Sequence, residues 1–224
     1  MFHGIPIALG YLSVSFGFGI MAVQSGLSVL EATLISLTNL TSAGQAAGVT
    51  IIAAAGTLFE MALTQFIINI RYSLMGISLS QKLDKSFTTK HRLIASYGIT
   101  DEIFAVASAQ VMPVTPWYMY GLIVVSAFGW VLGTFSGAAA GQILPADITN
   151  AMGIVLYGMF LAIIIPPARK ERSVLFVVII AAAISVLFKY VFTAVSGGFA
   201  VIISAVAASA IMAFISPVKE EREE

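Results

Sequence analysis

Apolar stretches of about twenty residues follow one another along almost the whole chain, with only short polar connectors between them. A window of that length gives seven or eight candidate membrane spans. Because every span in lipid must satisfy its own backbone hydrogen bonds, the fold class is all-α, a polytopic helical membrane protein in which residues 1–224 form a single transmembrane domain. The candidate spans are Ile5 to Val23, Val29 to Ala55, Leu58 to Leu79, Leu93 to Met112, Trp117 to Ala140, Ala151 to Pro166, Val174 to Phe192 and Phe199 to Ile215.

The composition agrees with a chain immersed in a lipid bilayer. Charged residues make up 10% of the sequence, whereas a soluble domain usually carries about 25%. There is no cysteine, and both histidines lie outside the apolar segments, so we expect no thiol nucleophile, metal site or cofactor and no enzymatic activity. The formal net charge is zero, which gives no indication of nucleic-acid binding.

The centre of the second segment is too polar for a simple lipid-facing helix. Residues 38–45 read T-N-L-T-S-A-G-Q. Irregular backbone at membrane depth is tolerated where it lines a cavity, so the stretch predicts a break between Asn39 and Gln45 and a broken or re-entrant helix. Small residues alone would also be explained by close helix packing. The substrate-binding candidates here are Asn39, Thr41, Ser42 and Gln45.

Charged residues on two segments lie at one predicted depth. Arg71 lies eleven residues before Lys82, and Asp101 lies nine residues after Arg92, on the segments that flank the basic loop 81–92. Both side chains fall roughly 13 to 17 Å from that loop, near the middle of the hydrocarbon core. An unpaired charge is costly there, so we expect Arg71 to contact one of the acids and to mark a substrate or ion pathway. A purely structural ion pair is the alternative.

Asp101 and Glu102 are neighbours and point about 100° apart on a helix, so they cannot both face Arg71 equally well. The acid that stays unpaired is free to take up and release a proton, and the pair is therefore our candidate for proton coupling. Gln65 and Asn69 lie one helical turn apart on the polar side of the third segment. Together with Arg71 they are further substrate-binding candidates.

Three other features give testable expectations. Gly133, Gly137 and Gly141 recur at a spacing of four, which indicates close helix packing. Residues 136–142 are loosely similar to residues 42–48, which indicates a weak internal repeat. Glu60 falls near the end of its segment, where we expect its carboxylate to stay hydrated.

The distribution of basic residues presents a conflict. Loop 81–92 and the run Arg169 to Arg172 should both be cytoplasmic, yet three apparent spans separate them. An odd number of crossings cannot return the chain to the same face. Either one basic loop is external, or one segment is re-entrant. A charged tail occupies residues 217–224.

Three blocks of the sequence resemble the AzlC-type branched-chain amino acid permeases, the large subunits of two-component exporters. They are residues 69–79 (N-I-R-Y-S-L-M-G-I-S-L), 100–105 (T-D-E-I-F-A) and 130–134 (W-V-L-G-T). The resemblance implies export of leucine, isoleucine and valine, and a small AzlD-type partner subunit with about four spans. It also implies a multi-pass protein of the cytoplasmic (inner) membrane of a prokaryote.

The charged residues within the predicted spans suit the same function. Arg71 could hold a carboxylate through two hydrogen bonds, and Asp101 or Glu102 could accept an ammonium group. The sequence thus favours a secondary transporter of aliphatic amino acids, coupled to protons. A non-transporting accessory subunit and a carrier of another small zwitterion are the alternatives.

Overall fold

The computed structural model describes residues 2–145, 147, 158, 161 and 164–216, and in that part of the chain the protein is helical without a β-strand. Residues 164–170 are helical as well. The predicted span Ala151 to Pro166 and the tail 217–224 lie largely or wholly outside the described residues. The longer elements are α1 (Gly4–Gln24), α2 (Val29–Thr38), α3 (Ala43–Ala53), α4 (Leu58–Ser80), α5 (Thr89–Ser96), α6 (Asp101–Ser108), α7 (Pro116–Gly141), α8 (Arg172–Tyr190) and α9 (Gly197–Ile215).

The prediction of an all-α fold is confirmed, but the prediction of seven or eight membrane spans is not. Among the described residues four helices, α1, α7, α8 and α9, are long and apolar enough to cross a membrane. Two predicted spans instead form pairs of short helices: Val29 to Ala55 contains α2 and α3, and Leu93 to Met112 contains the second half of α5 and all of α6. Because α5 begins at Thr89, the last four residues of loop 81–92 are helical rather than extended loop.

The predicted break in the second segment is confirmed at residues 39–42, and side chains cause it. The Thr38 hydroxyl donates to carbonyls of the last turn of α2, 2.8 Å from one of them. The Asn39 Oδ1 atom then accepts from the Thr41 backbone N–H at 3.0 Å. Such local bonds compete with helical ones. Ser42 completes the turn with a φ of 45°, a conformation that L-residues rarely adopt.

Helices α2 and α3 form a re-entrant hairpin, called hairpin 1 below. The Gln45 side-chain amide donates to the Ser36 hydroxyl at 3.0 Å, close to the tip. Farther from the tip, Ala32 and Val49 pack in one buried cluster with the end of α1. The two helices are therefore antiparallel, and the chain leaves the hairpin at the end where it entered.

Helices α5 and α6 form a second re-entrant hairpin, hairpin 2. Val114, which follows α6, exchanges backbone hydrogen bonds with Lys82 and Asp84, which precede α5. The Lys82 ammonium also donates to the backbone carbonyls of Ser108, the last residue of α6, and of Gln110, which follows the helix. The start and end of this segment are thus pinned together, and the segment does not cross the molecule.

The two hairpins enter from opposite ends of the molecule. The base of hairpin 1 leads directly into the start of α4, and the base of hairpin 2 lies at the end of that 23-residue helix. Their tips approach each other, where the Tyr97 hydroxyl donates to the Leu37 carbonyl. A long helix followed by a hairpin thus occurs twice, as α1 to α3 and as α4 to α6, with α1 and α4 running in opposite directions.

The internal repeat consequently differs from the one that the sequence similarity indicated. Residues 42–48 begin the second helix of a hairpin, whereas residues 136–142 end the continuous helix α7. The two stretches occupy different surroundings. Their similarity reflects the small residues that both kinds of close contact require.

The structure also resolves the conflict between the two basic clusters. The Gly198 N–H at the start of α9 bonds to Glu60, so α9 begins beside the start of α4. Helix α8 runs antiparallel to α9 and is joined to it through Ser185 and Ser204 at 3.1 Å. The start of α8, beside the basic run, therefore lies toward the end of α4 that carries loop 81–92. Both basic clusters lie at the same end, as the positive-inside rule requires.

Helices α1 and α7 form the most extensive contact, and the predicted packing role of the glycines is confirmed. A Cβ atom at Gly129, Gly133 or Gly137 would come within 3.0 Å of the α1 backbone at Ala8, Leu12 or Phe16 respectively. The constant offset between these pairs shows that the helices are parallel. Gly141 has more room, because its nearest contact on α1 would lie at 3.5 Å.

Substituting Gly137 by Ala should destabilise the protein, because the added methyl group must separate the α1 and α7 backbones. We expect a loss of about 1 to 3 kcal/mol, the usual cost of overpacking. Gly10→Ala is the matched control, because a Cβ there meets nothing within 4 Å. Thermal unfolding in detergent should show a lowered midpoint for Gly137→Ala alone, and equal midpoints for the two variants would contradict the packing assignment.

Glu60 does not stay hydrated, and the expectation for it was wrong. The Glu60 residue is 4% exposed. Its Oε1 atom accepts hydrogen bonds from the Ser196 hydroxyl and from the Gly198 N–H, the latter at 2.9 Å. The carboxylate thus caps the N-terminus of α9, where negative charge is favourable. A contact between residues so far apart in sequence cannot be read from the position of Glu60 in its own segment.

Replacing Glu60 with Ala should detach the α8–α9 pair from α4. We expect a loss of about 1.5 to 3 kcal/mol, the range for hydrogen bonds to a charged group. Glu60→Gln keeps an oxygen acceptor and should lose less. Limited proteolysis of the connection between α8 and α9 reports whether the helix pair has detached from α4. Unchanged protection in Glu60→Ala would show that the cap contributes nothing.

Candidate solute-binding site

A cavity of about 620 Å³ lies where the hairpin tips meet α1, α4 and α7. This volume is within the range of small-molecule sites, about 300 to 1,000 Å³. Both hairpin tips contribute to its wall, so a movement of either hairpin changes access to it. The lining residues are Pro6, Ile7, Gly10, Tyr11, Val14, Leu40, Ser42, Ala43, Ile68, Arg71, Tyr72, Thr100, Asp101, Glu102, Trp130 and Ile164.

Arg71 and Asp101 form an ion pair in this cavity, which confirms the predicted contact. The guanidinium Nη1 atom lies 2.6 Å from the Asp101 Oδ2 atom. The guanidinium also lies 4.9 Å from the centre of the Tyr72 ring and donates to its hydroxyl at 3.3 Å. Both charged side chains stay partly exposed to the cavity, at 40% and 34%. Arginine has five N–H donors, so donor capacity remains for a ligand.

Glu102 has a different environment from its neighbour. Its Oε2 atom accepts a hydrogen bond of 2.7 Å from the Tyr11 hydroxyl. Tyr11 also contacts the Thr100 hydroxyl, and Thr100 caps α6 by accepting from the Ile103 N–H. In the described part of the chain Glu102 is bonded to a neutral hydroxyl, whereas Asp101 is paired with a cation. The structure thus shows which of the two acids contacts Arg71, a choice that the sequence left open.

The start of α3 forms the opposite wall. Ser42 and Ala43 both line the cavity. The Ser42 side chain makes no capping hydrogen bond, so the N-terminus of α3 keeps donor capacity. A helix N-terminus favours an anionic group. The cavity therefore offers two places for a carboxylate, the Arg71 guanidinium and this helix end.

The other predicted binding residues do not line the cavity. Gln45 is 2% exposed and links α3 to Ser36, whose hydroxyl lies 2.7 Å from that of Thr134 on α7. Asn39 shapes the tip of hairpin 1 through the bond described above. Asn39 and Gln45 therefore stabilise the break in the second segment and do not contact the cavity. Thr41, Gln65 and Asn69 form a separate polar cluster behind the cavity wall.

Four polar or aromatic residues of the site were not among the sequence candidates: Tyr11, Tyr72, Thr100 and Trp130. Tyr11 and Trp130 pack edge to face, with ring centroids 5.2 Å apart. Thr100 directly precedes the acid pair, which is a recognisable helix-start signal. Tyr11 lies in an apolar segment, and no local pattern distinguishes it from a core aromatic residue, whereas Trp130 begins the family-like block 130–134.

The remaining wall is mainly apolar, and no group of three or more His, Cys, Asp or Glu residues that could hold a metal ion occurs among the described residues. A few convergent charges in an apolar cavity between broken helices are the features expected of a candidate solute-binding site in a membrane protein. The chain belongs to the AzlC family: the family profile described as AzlC protein matches residues 6–144.

Individual relatives agree with this assignment. The chain is 30% identical over 177 residues to the inner membrane protein YgaZ of Escherichia coli strain K12. The aligned region covers 75% of this chain and 72% of the relative. It is 31% identical over 174 residues to a membrane protein of Archaeoglobus fulgidus, covering 76% of this chain and 75% of the relative. A membrane protein of Helicobacter pylori strain J99 is 26% identical over 176 residues. No solved structure matches the chain.

A double-mutant cycle tests the ion pair. Because both side chains are more than a third exposed, we expect a coupling energy of only about 1 kcal/mol between Arg71 and Asp101. Arg71→Met, Asp101→Asn and the double variant should be compared by thermal unfolding. The same cycle between Arg71 and Glu102 should give a smaller coupling, and the reverse order would contradict the assignment of partners.

Proposed function

We propose that the protein is a secondary transporter that exports aliphatic, branched-chain amino acids across the cytoplasmic membrane, coupled to protons. The observation that carries this proposal is the cavity between two oppositely oriented hairpins, in which an arginine and two acids converge in an apolar wall. Membership of the AzlC family supports a transport-related membrane role. The E. coli relative, whose name places it in the inner membrane, supports the location.

The charges suit the two ends of a zwitterion. A substrate carboxylate would bind the free donors of Arg71 and the N-terminus of α3. The ammonium group would bind Asp101 or Glu102. The apolar wall formed by residues such as Ile7, Val14, Leu40 and Ile68 would then receive an aliphatic side chain.

Glu102 is the better of the two acids for carrying the proton. Asp101 is already paired with Arg71, at 2.6 Å. Glu102 is bonded to the Tyr11 hydroxyl, which can donate to the carboxylate or accept from the protonated acid. Protonation of Glu102 would therefore leave the ion pair intact. It would change the charge of the cavity by one unit and so favour a different hairpin arrangement.

A small AzlD-type subunit of about four spans is the proposed partner. Helix α8 supports this proposal, because it has no buried residue and its main neighbour among the described residues is α9. Such a surface accepts either a second subunit or lipid, and transport measured with and without the small subunit distinguishes the two.

Transport should be measured in liposomes holding the full chain, with and without the small subunit, using labelled leucine, isoleucine and valine. Glu102→Gln should abolish accumulation driven by a pH gradient and leave amino acid exchange largely unchanged, because exchange moves no net proton. Arg71→Lys should weaken substrate binding by about tenfold, since an ammonium group cannot reproduce the two-bond contact with a carboxylate.

Glu31→Gln is the matched control, because Glu31 is an exposed acid at a helix start outside the cavity. If Glu102→Gln still accumulates substrate as the unmodified protein does, the proton-coupling role is wrong. An absence of flux under every condition, with the subunit present, would favour a non-transporting accessory protein instead. Flux of another zwitterion alone would correct the substrate.

A further inference from the structure

An apolar groove, called the outer groove below, lies between α5 and α7 and has no part in the proposed transport cycle. It is lined by residues of both helices, by Tyr97 and by Leu37 at the end of α2, and its volume is about 610 Å³. The outer groove and the solute cavity share no lining residue. Its wall is open to the surroundings, because large apolar side chains such as Ile94, Val124 and Phe128 are exposed.

The outer groove offers no free polar side chain to a ligand. Every residue that lines it is apolar or aromatic, and only two tyrosines carry a polar group. Both hydroxyls already have a partner: Tyr97 donates to the Leu37 carbonyl, and Tyr120 lies 2.7 Å from the His91 Nδ1 atom. The groove therefore suits a flexible apolar chain and not a polar solute.

The length of the outer groove indicates the kind of occupant. Along α7 it extends from Tyr120 to Val131, which is roughly 16 Å of helical rise. Helix α7 begins beside the base of hairpin 2, so the groove starts at the end of the molecule that carries loop 81–92. It covers about half of a hydrocarbon core about 30 Å thick, which is the depth of one leaflet. One lipid chain fits this depth, whereas a partner helix that crosses the membrane would extend well beyond it.

A lysine and a tryptophan lie at the mouth of the outer groove. Lys90, Ile94 and Tyr97 share one face of α5 and its cap, with Lys90 at the end nearest the basic loop. Lys90 is exposed, and its side chain makes no ion pair or hydrogen bond in the described part of the chain. Trp117 is exposed as well and packs against Tyr120, with ring centroids 6.0 Å apart. Tryptophan and tyrosine are typical of the level of the lipid headgroups.

We infer that the outer groove binds one acyl chain of an anionic phospholipid from the leaflet at the basic end, with its phosphate beside Lys90. Loop 81–92 carries four Lys or Arg residues and one Asp, so its charge is complementary to such a headgroup. The far end of the chain would reach the contact between Tyr97 and Leu37, where the two hairpin tips meet. The lipid would thus touch both hairpins. This inference goes beyond the proposed function, because lipid binding can be measured without transport.

Quenching of tryptophan fluorescence by lipids with brominated acyl chains reports contact at short range. Phe128→Trp should be combined with Trp117→Phe, so that Trp130, which is 2% exposed, gives a constant background. The matched control is Phe135→Trp in the same background, because Phe135 is also exposed and lies on the same face of α7 but does not line the groove. Brominated phosphatidylglycerol, added to the purified full chain in detergent, should quench the Phe128→Trp chain saturably and the control far less.

Lys90→Gln removes the charge at the mouth of the groove. It should raise the concentration of phosphatidylglycerol needed for half of the quenching by about fivefold, which corresponds to about 1 kcal/mol for one lysine near an anionic headgroup. With Lys90 present, zwitterionic phosphatidylcholine should bind about fivefold more weakly than phosphatidylglycerol. Lys85→Gln is the control for net charge, since Lys85 is an exposed lysine of the same loop that precedes α5, and it should leave the concentration unchanged.

A second measurement needs no substitution in the wall of the groove. Phosphatidylglycerol should raise the unfolding midpoint of the unmodified chain in detergent in a saturable way, because a ligand that binds only the folded state stabilises it. Lys90→Gln should remove most of this rise, and Lys85→Gln should keep it. The inference therefore stays testable if the tryptophan variants fail to fold.

Saturable quenching that prefers phosphatidylglycerol and depends on Lys90 establishes the lipid site. The inference is overturned if Phe128→Trp and Phe135→Trp are quenched alike by both lipids, since lipid then only surrounds the protein. It is also overturned if the small subunit displaces the lipid, or if the chain is dimeric in detergent and Phe128→Trp is not quenched, because protein then covers the groove. None of these results depends on whether the protein transports amino acids.

Discussion

The architecture depends on one constraint: a helix that ends inside a membrane protein must have its terminal backbone groups satisfied by protein. The chain does this twice. Hairpin 1 turns with the help of Thr38 and Asn39, and hairpin 2 restarts its second helix with the Thr100 cap. Lys82 satisfies carbonyl groups at and just after the C-terminus of α6, at the base of hairpin 2. These contacts hold the two turns at the hairpin tips, and the tips line the cavity.

The rest of the molecule holds these tips in place. The glycines of α7 allow α1 to lie against it along its length, and α1 contributes Tyr11 to the acid pair. Helix α4 connects the bases of the two hairpins and carries Arg71 between them. Glu60 joins the C-terminal helices to the start of α4. Since the two hairpins enter from opposite ends, the cavity is placed between two elements that could each control access from one side.

The two neighbouring acids of the site have different partners. A helix start orients adjacent residues about 100° apart, so Asp101 faces the arginine and Glu102 faces Tyr11. This difference in partners follows from geometry that two consecutive letters in a sequence do not specify.

The sequence by itself determined the helical membrane fold, the break at residues 39–42, the glycine contact and the meeting of Arg71 with an acid. Each of these follows from local polarity, small-residue spacing or helical rise. It did not determine that residues 89–108 turn back, that Glu60 is buried, or that Thr41, Gln65 and Asn69 lie behind the cavity wall. Those outcomes depend on contacts between residues far apart in the chain, such as Lys82 with Ser108 and Glu60 with Gly198, and only the packed tertiary structure decides them.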